Sequence, residues 1–269
     1  MKYSIINIIY NLPLSNYLGG FIKKKLLKNN KITFIPTNKK SLPKKNHPIL
    51  NSIDYQEEII RSYNKNNELS FNTFLDLKNL LKRNFNTSEK FNFLDVGGDK
   101  LDFYLDISKE FKNINYFIIN LPEVNQIIDS IKKKYGYDNL KILNSLDEIK
   151  NHNYDFLYFG STLQYMDNYE NFIEEILLIT KRYIFFSATW FFLDNNPLKK
   201  IVVKQLNFLP KQFYLYFFNL HFIQKMFENH GFKTELNEKN TSHTCSFKNF
   251  EKLNLKNIKY TNILFTKKF

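Results

Sequence analysis

The sequence predicts an α/β fold with a mostly parallel sheet of seven strands, helices on both faces of that sheet and an N-terminal helical extension. Two observations lead to this prediction. After residue 88, short runs rich in Phe, Ile and Tyr alternate with longer segments of helical periodicity. One run, at residues 93–96, ends in an acid and a Gly-Gly pair, which is typical of a buried strand that opens into a ligand-binding turn.

The N-terminal extension is predicted to cover residues 1–88 and the α/β domain residues 89–269. Apolar residues that recur every three to four positions predict helices at about 53–65 and 69–84. A Lys/Asn-rich segment at about 29–50 contains three prolines, and we interpret it as a linker.

A short basic segment at residues 21–28 is predicted to form an amphipathic helix with lysines along its edge. We interpret it as a solvated helix that packs on the core. Weak peripheral contact between this basic N-terminal segment and an anionic membrane surface is the alternative. One short basic helix binds such a surface weakly unless a second anchor helps.

Within the α/β domain, runs of β-favouring residues predict the strands, and the periodic segments between them predict the helices. Such alternation is typical of a parallel sheet that is covered on both faces. The predicted strands are residues 91–96, 115–119, 140–143, 154–159, 182–188, 232–236 and 259–266. The predicted helices between them are residues 101–111, 122–135, 145–150, 168–180 and 218–230.

Aromatic residues are dense near the C-terminal third of the chain, with eight of them between residues 208 and 227. We interpret this stretch as a helix-and-loop cover that packs on the sheet. A lid that closes over an acceptor is one alternative, and a surface that stacks RNA bases is another.

The net charge of +13 invites the hypothesis of an anionic partner. However, the chain has one Ala and three Arg against abundant Lys, Asn, Ile and Phe, a bias expected of AT-rich coding DNA. Sites for nucleic acids favour Arg, whose planar group makes bidentate contacts. Compositional drift is therefore the favoured source of the charge, and a nucleic-acid partner is not expected.

Cys245 is the single cysteine of the chain, which excludes an intramolecular disulfide and a multi-cysteine zinc site. A lone cysteine fits the reducing cytoplasm. No apolar run reaches the roughly 18–20 residues that span a bilayer. The sequence therefore predicts a cytoplasmic protein without a metal site.

Polar residues and glycines follow three predicted strands, at the edge where α/β sheets bind ligands. Asp95, Gly97 and Gly98 close the first strand, and the two glycines let backbone approach a ligand. Asn120 closes the second strand about twenty residues on, where dinucleotide-binding folds commonly carry an acid for ribose hydroxyls. Residues 160–167 follow the fourth strand.

In their order and spacing, these segments resemble the motifs of class I S-adenosylmethionine-dependent methyltransferases, which have a Rossmann-like fold. More narrowly, the chain resembles a group of bacterial methyltransferases often associated with surface-polysaccharide genes. That group has a doubled Gly in the first motif, a Pro-Glu pair after the second strand and Leu-Gln-Tyr after the fourth. The resembling segments are residues 94–98 (LDVGG), 118–123 (IINLPE) and 154–165 (YDFLYFGSTLQY), within a similarity over residues 90–269.

The resemblance implies S-adenosylmethionine as the cofactor and methyl transfer to a small-molecule or glycan acceptor. It places Asp95, Gly97 and Gly98 around the methionine portion of the cofactor, and Asn120 at the ribose. The other residues that it assigns are Asn144 and Ser145 at the adenine, and Gly160, Ser161 and Gln164 on the floor that faces cofactor and acceptor.

His243 is the best candidate for a general base, because it lies in a polar loop before the last strand. Two alternatives to an active small-molecule methyltransferase remain. One is a degenerate, non-catalytic binding module, because the family's third glycine is absent and Leu101 brings side-chain bulk toward the cofactor path. Asn120, in place of the ribose acid, favours the same alternative. The other is an RNA methyltransferase, and the oligomeric state is left open.

Overall fold

The computed structural model describes residues 32–43, 75–99, 101–206, 212–239 and 245–268. Two predicted helices, at residues 21–28 and 53–65, lie outside these ranges. Of the N-terminal helical extension, the structure therefore describes the last helix, which corresponds to the predicted helix at 69–84.

The described helices are α1 (Leu75–Asn84), α2 (Asp102–Glu110), α3 (Pro122–Tyr135), α4 (Leu146–Lys150), α5 (Tyr169–Ile179) and α6 (Leu220–Glu228). The described strands are β1 (Ile32–Pro36), β2 (Asn92–Val96), β3 (Asn115–Ile119), β4 (Leu140–Leu143), β5 (Tyr154–Gly160), β6 (Thr180–Phe192), β7 (Lys200–Leu206), β8 (Gln212–Asn219), β9 (Phe232–Lys239), β10 (Cys245–Phe247) and β11 (Ile258–Lys267).

The chain divides into two compact units. The larger unit comprises His47–Thr189, Gln224–Glu238 and Thr261–Phe269, and the smaller unit comprises the remaining segments. Strand β6 contributes its first ten residues to the larger unit and its last three to the smaller one. The predicted domain boundary at residue 88 stays a prediction.

The sheet of the larger unit has the strand order β4-β3-β2-β5-β6-β11-β9. Its pairs β2–β3, β2–β5, β3–β4 and β5–β6 are parallel. These seven strands are the seven that the sequence predicts, so the mostly parallel sheet is confirmed. The prediction succeeded because strands that are buried on both faces consist of continuous apolar, β-branched and aromatic runs, which are visible in the sequence.

Helices cover both faces of this sheet. On one face, Phe93 of β2 stacks on Phe156 at 5.4 Å and on Tyr116 at 5.0 Å, in a core shared with α1, α2 and α3. On the other face, Phe159 meets Phe172 of α5 at 6.2 Å. Successive strand residues point to opposite faces, so apolar runs without alternation supply both cores.

The count of seven strands is wrong for the chain as a whole, because the described residues form eleven. The four additional strands are β1, β7, β8 and β10, which belong to the smaller unit in the order β10-β1-β7-β8. β1 lies within the predicted linker at 29–50. Its five residues carry too little pattern to predict a strand, and pairing with β7 and β10 decides its conformation.

The predicted helix-and-loop cover at 208–227 is also wrong for residues 212–219. These residues form β8, which pairs antiparallel with β7 along its length, from Lys200 opposite Phe218 to Leu206 opposite Gln212. Helix α6 begins only at Leu220. A short aromatic run suits either structure, and β7 supplies the hydrogen-bonding partner that selects the strand.

The core of the smaller unit is aromatic. Trp190 stacks on Phe217 at 5.1 Å, and its ring lies 4.8 Å from that of Phe34 and 4.6 Å from that of Tyr260. Trp190 is 6 % exposed, so it lies inside this core. In the part of the chain that the structure describes, no helix is long and apolar enough to cross a membrane.

Candidate functional site

The candidate site lies at the carboxyl ends of β2, β3 and β5 in the larger unit. Val96 at the end of β2 is opposite both Ile119 of β3 and Phe159 of β5. The chain builds the sheet from β2 toward β4, then returns to the other side of β2 with β5. Open α/β sheets bind ligands at such a reversal, outside the carboxyl ends of the strands. The fold therefore brings the three predicted segments to one edge.

Both glycines after β2 occupy positions that exclude any side chain. Gly97 has φ +86, and a Cβ atom there would lie 2.3 Å from Oγ1 of Thr162. A Cβ atom on Gly98 would lie 2.3 Å from Oδ2 of Asp95 and 2.8 Å from Cδ1 of Ile118. The protein's own atoms thus require the Gly-Gly pair, and backbone forms the surface of the turn at this point.

Asp95 is a buried carboxylate with one strong hydrogen bond. It is 6 % exposed, and the hydroxyl of Tyr116 on the neighbouring strand donates to its Oδ2 at 2.6 Å. Burial raises the pKa of Asp95 to about 7, the Tyr116 hydrogen bond opposes this rise, and the charge of Asp99 adds to it. In the described part of the chain, no group donates to the second oxygen, Oδ1.

A line of side-chain amides runs along the ends of β2, β3 and β4. Nδ2 of Asn120 donates to the Gly98 carbonyl at 2.7 Å, and the Asn120 backbone N–H donates to Oδ1 of Asn125 at 3.1 Å. Nδ2 of Asn125 then donates to the Leu143 carbonyl at 2.9 Å and to Oδ1 of Asn144 at 3.1 Å. Three asparagines thereby tie three strand ends together.

Sequence reasoning missed Asn125, although a signal was present. Asn125 lies in the first turn of α3 and is 3 % exposed. Asparagine is a poor residue for a helix interior, and a buried one needs partners for its amide. Its position five residues after the predicted ribose contact was the available indication.

Asn144 and Ser145 are placed beside this amide line, but both side chains are exposed. Ser145 caps α4, because its Oγ accepts from the Glu148 backbone N–H at 3.2 Å. The Asn144 backbone N–H donates to Oε2 of Glu148 at 2.9 Å. The pair therefore has a local role as a helix cap, and its assignment to adenine stays a prediction.

The turn after β5 is strained and polar. Ser161 has φ 58, which is unfavourable for a residue with a side chain. Nε2 of Gln164 donates to Oγ of Ser161 at 2.9 Å, and Oγ1 of Thr162 donates to the Gly160 carbonyl at 3.1 Å. Gln164 is 2 % exposed, although it is an amide in a short 3₁₀ helix.

Three further residues join this turn that sequence reasoning did not assign. The Ser161 backbone N–H donates to the Ser187 carbonyl of β6 at 2.9 Å. Oδ1 of Asn262, on β11, accepts from the Ala188 backbone N–H at 2.9 Å and from Oγ of Ser187 at 3.3 Å. Ala188 has φ 55, a second strained position beside Ser161. An asparagine inside the apolar run of β11, and the single alanine of the chain, were the available signals.

The position of the missing third glycine is filled by Leu101, which has φ 57. The expectation that its side chain crowds the cofactor path is wrong, because Leu101 is 4 % exposed and belongs to the hydrophobic core under α2. A left-handed leucine costs about 1–2 kcal/mol of backbone strain. Burial of its side chain offsets that cost at roughly the same magnitude.

His243, the predicted base, lies outside the described residues, so its assignment stays a prediction. Across the described ranges, no group of three or more His, Cys, Asp or Glu side chains is placed to hold a metal ion.

No protein-family model and no curated protein matches the sequence, whereas solved structures match its fold. The N-terminal domain of EvdMO1, crystallised in the presence of SAH and D-fucose, has a TM-score of 0.51 and 8% identity over 80% of this chain and 98% of that one. The Burkholderia thailandensis 1,6-didemethyltoxoflavin-N1-methyltransferase, with bound 1,6-didemethyltoxoflavin and S-adenosylhomocysteine, has a TM-score of 0.52 and 11% identity over 87% and 94% of the two chains. At these identities the likeness shows the fold alone: the chain has the α/β Rossmann-like methyltransferase fold with a mostly parallel sheet.

Proposed function

We propose that this protein transfers a methyl group from S-adenosylmethionine to a small-molecule or carbohydrate acceptor. One observation carries the proposal: a Gly-Gly turn, a buried carboxylate and a line of amides meet at the reversal of strand order. The fold likeness supports it, because one of the similar structures is a methyltransferase with bound S-adenosylhomocysteine and the other was crystallised with SAH and D-fucose.

The buried carboxylate fits the charge of the cofactor. S-adenosylmethionine carries a sulfonium and an ammonium group, and Asp95 is a 6 % exposed carboxylate whose Oδ1 accepts from no group in the described part of the chain. A buried charge without a counter-ion is costly, as the pKa of about 7 shows. A cation at this position would lower that pKa and recover the cost.

The turn and the amide line fit the remaining parts of the cofactor. The Gly97 N–H donates to the Ile119 carbonyl at 2.8 Å, so the Gly98 N–H is the one of the pair that can approach a carboxylate or a ribose. Asn120 donates one of its two Nδ2 hydrogens to Gly98, which leaves the other for a hydroxyl. These residues thus offer an acid, backbone and an amide together at the ends of β2 and β3.

When bound, the cofactor supplies an electrophilic methyl group on a positively charged sulfur. The chain must then hold an acceptor oxygen or nitrogen in line with that methyl group and exclude water. If the acceptor is a hydroxyl, a base must take its proton as the new carbon–oxygen bond forms. His243 remains the candidate for that base.

Calorimetry on the full chain tests the proposal. S-adenosylmethionine and S-adenosylhomocysteine should both bind, and 5′-methylthioadenosine should bind at least about tenfold more weakly, because it lacks the ammonium group that Asp95 would hold. Binding should strengthen between pH 6 and pH 8 as Asp95 ionises. Absence of binding heat at millimolar S-adenosylhomocysteine would remove the proposal.

A second candidate, a non-catalytic binding module, is favoured by the contacts of Asn120. Its Nδ2 donates to the Gly98 carbonyl at 2.7 Å and its Oδ1 accepts from the Leu121 backbone N–H at 2.7 Å, so the fold itself already uses this amide. For such a module, S-adenosylhomocysteine would bind weakly or not at all, and no acceptor would be methylated. An RNA acceptor is the remaining alternative, and steeply salt-dependent RNA binding would support it.

A further inference from the structure

A group of neutral polar side chains lies beside the candidate cofactor edge, at the end of β5. It consists of Ser161, Gln164, Ser187 and Asn262, and we name it the neutral cluster. Gln164 donates to Ser161 at 2.9 Å, Ser161 donates through its backbone to Ser187 at 2.9 Å, and Ser187 donates to Asn262 at 3.3 Å. The cluster thus joins the turn after β5, the strand β6 and the strand β11 by a continuous set of hydrogen bonds.

Asn262 has an idle hydrogen-bond donor in this cluster. The residue is 6 % exposed, and its Oδ1 is fixed by two donors, the Ala188 backbone N–H and Oγ of Ser187. Its Nδ2 has no hydrogen-bond partner within the described ranges. Buried polar groups in folded proteins are almost always paired, so an amide that is held at its oxygen and unpaired at its nitrogen is a donor available to a ligand.

The unpaired nitrogen of Asn262 is not completely sealed from solvent. Among the described side chains, Oε2 of Glu110 is the one polar atom that is both sealed from solvent and unpaired. Nδ2 of Asn262 is unpaired but not sealed, so part of its surface is accessible to a group of the size of water. The two hydrogen bonds to Oδ1 fix the plane of the amide and therefore the direction in which Nδ2 donates.

The backbone at the cluster is held in unfavourable conformations. Ser161 has φ 58 and Ala188 has φ 55, and both are outside the regions that residues with side chains prefer. Such positions persist where surrounding contacts determine the local geometry, and they concentrate at binding and active sites. In these conformations the Ser161 N–H donates to the Ser187 carbonyl, and the Ala188 N–H donates to Oδ1 of Asn262.

The chemistry of the cluster selects its ligand. Two hydroxyls and two amides offer several donors and acceptors, and none of the four carries a charge at any ordinary pH. A charged ligand would lose hydration here without gaining a counter-ion, whereas a neutral hydroxyl exchanges one hydrogen bond for another. We propose that the neutral cluster binds an uncharged, hydroxyl-rich molecule such as an unphosphorylated sugar, and that Nδ2 of Asn262 donates to one of its oxygens. That this sugar is the methyl acceptor rests on the proposed function.

Titration of the full chain with D-fucose and D-glucose tests the proposal. The variant Asn262→Asp keeps the size and the oxygen of the side chain and removes the N–H donor. It should weaken sugar binding by roughly tenfold. Asn115→Asp is the matched control, because Asn115 donates to Asn92 at the opposite end of the sheet. The control should bind both sugars like the wild type, and the charged analogue D-glucose 6-phosphate should bind at least about tenfold more weakly than D-glucose.

NMR spectroscopy of the wild-type protein tests the same proposal without a variant. The side-chain amide NMR signal of Asn262 should shift on addition of sugar, while that of Asn115 stays in place. Equal sugar affinity of Asn262→Asp and the wild type would overturn the proposal, and so would absence of binding for both sugars up to about 50 mM. S-adenosylhomocysteine binding is measured separately. If S-adenosylhomocysteine does not bind but sugar binding depends on Asn262, the proposed function is wrong and the proposal that the neutral cluster binds a sugar is retained.

Discussion

The two ends of the sheet in the larger unit are built from different chemistry. At the amino end, an open cleft of about 440 Å³ is lined by Lys181, Arg182, Lys267, Lys268 and Asp155, among others. Arg182 pairs with Glu89 at 2.9 Å in partly exposed positions. At the carboxyl end, the polar groups are mainly amides, hydroxyls and one buried acid, and they bond to one another or to backbone.

The difference shows where residue identity is constrained. A solvated ion pair tolerates replacement, because water and salt compensate for most of its energy. A buried amide with fixed partners does not, because each lost hydrogen bond leaves a group that water cannot reach. Steric limits also restrict residue identity at the carboxyl end, since a Cβ atom on Gly97 or Gly98 would overlap neighbouring side chains. Substitutions should therefore cost most at the carboxyl end.

The largest effect is expected for Gly97→Ala. Its Cβ would overlap Thr162 at 2.3 Å, and φ +86 is unfavourable for alanine. We expect a loss of about 2–4 kcal/mol in the free energy of unfolding, from strain and overpacking together, and loss of S-adenosylhomocysteine binding. Urea unfolding and calorimetry measure the two effects.

Gly136→Ala is the matched control for this variant. Gly136 has φ +67, but no atom lies within 4 Å of the position that the alanine Cβ would take, so this variant reports the cost of the conformation without the overlap. We expect a loss of about 1 kcal/mol and unchanged binding. If the two glycine variants lose equal stability, the contact with Thr162 at Gly97 adds nothing to the free energy of unfolding. That result would contradict a steric constraint at the carboxyl end of the sheet.

A stability effect of similar size but opposite sign is expected for Asp95→Asn, and it depends on pH. Burial raises the pKa of Asp95 from 3.8 to about 7, so the folded state holds the proton more tightly than the unfolded state does. Below about pH 4 the Asp95 carboxyl is protonated in both the folded and the unfolded state, so it does not destabilise the fold there. As the pH rises to about 7, the unfolded state loses this proton more readily than the folded state, and the wild type therefore loses stability. At pH 8, Asp95→Asn should be more stable than the wild type by on the order of 2–4 kcal/mol.

The same variant should bind S-adenosylmethionine more weakly, because the amide offers no charge to a cation. Urea unfolding between pH 5 and pH 8 measures the stability gap, and calorimetry measures the affinity. Asp129→Asn, which removes an exposed pair with Lys133, should change stability by less than about 0.5 kcal/mol over the same range. A gap for Asp95→Asn that does not grow with pH would contradict the burial of a charge at this position.

The smallest effect is expected at the amino end. Arg182→Gln removes a pair with Glu89 at 2.9 Å and a looser one with Asp155 at 3.8 Å, both partly solvated. We expect a loss of less than about 1 kcal/mol that shrinks further in high salt, with unchanged S-adenosylhomocysteine binding. A loss as large as that of Gly97→Ala would contradict the contrast between the two ends, because solvated charges would then matter as much as buried geometry.

Much of the site could be predicted from the sequence, because strand order places residues at one edge before any contact is known. Asp95 and Gly160 lie at the carboxyl ends of strands, and Gly97 and Asn120 directly follow strands. Parallel strands bring their carboxyl ends together. Asn262 could not be found this way. It lies inside a strand run, and its role depends on hydrogen bonds to Ser187 and Ala188, more than seventy residues earlier in the chain.

The sequence by itself determined the seven strands of the larger unit and the glycines of the first turn. Both are local properties: apolar runs of strand length are buried wherever they pair, and two successive glycines permit a turn in any context. Tertiary structure decided the four strands of the smaller unit, since β8 and β1 take the strand conformation through pairing with β7. Tertiary structure also decided which polar groups keep an unpaired donor, because the hydrogen-bond partners of a buried group come from residues that are distant in the chain.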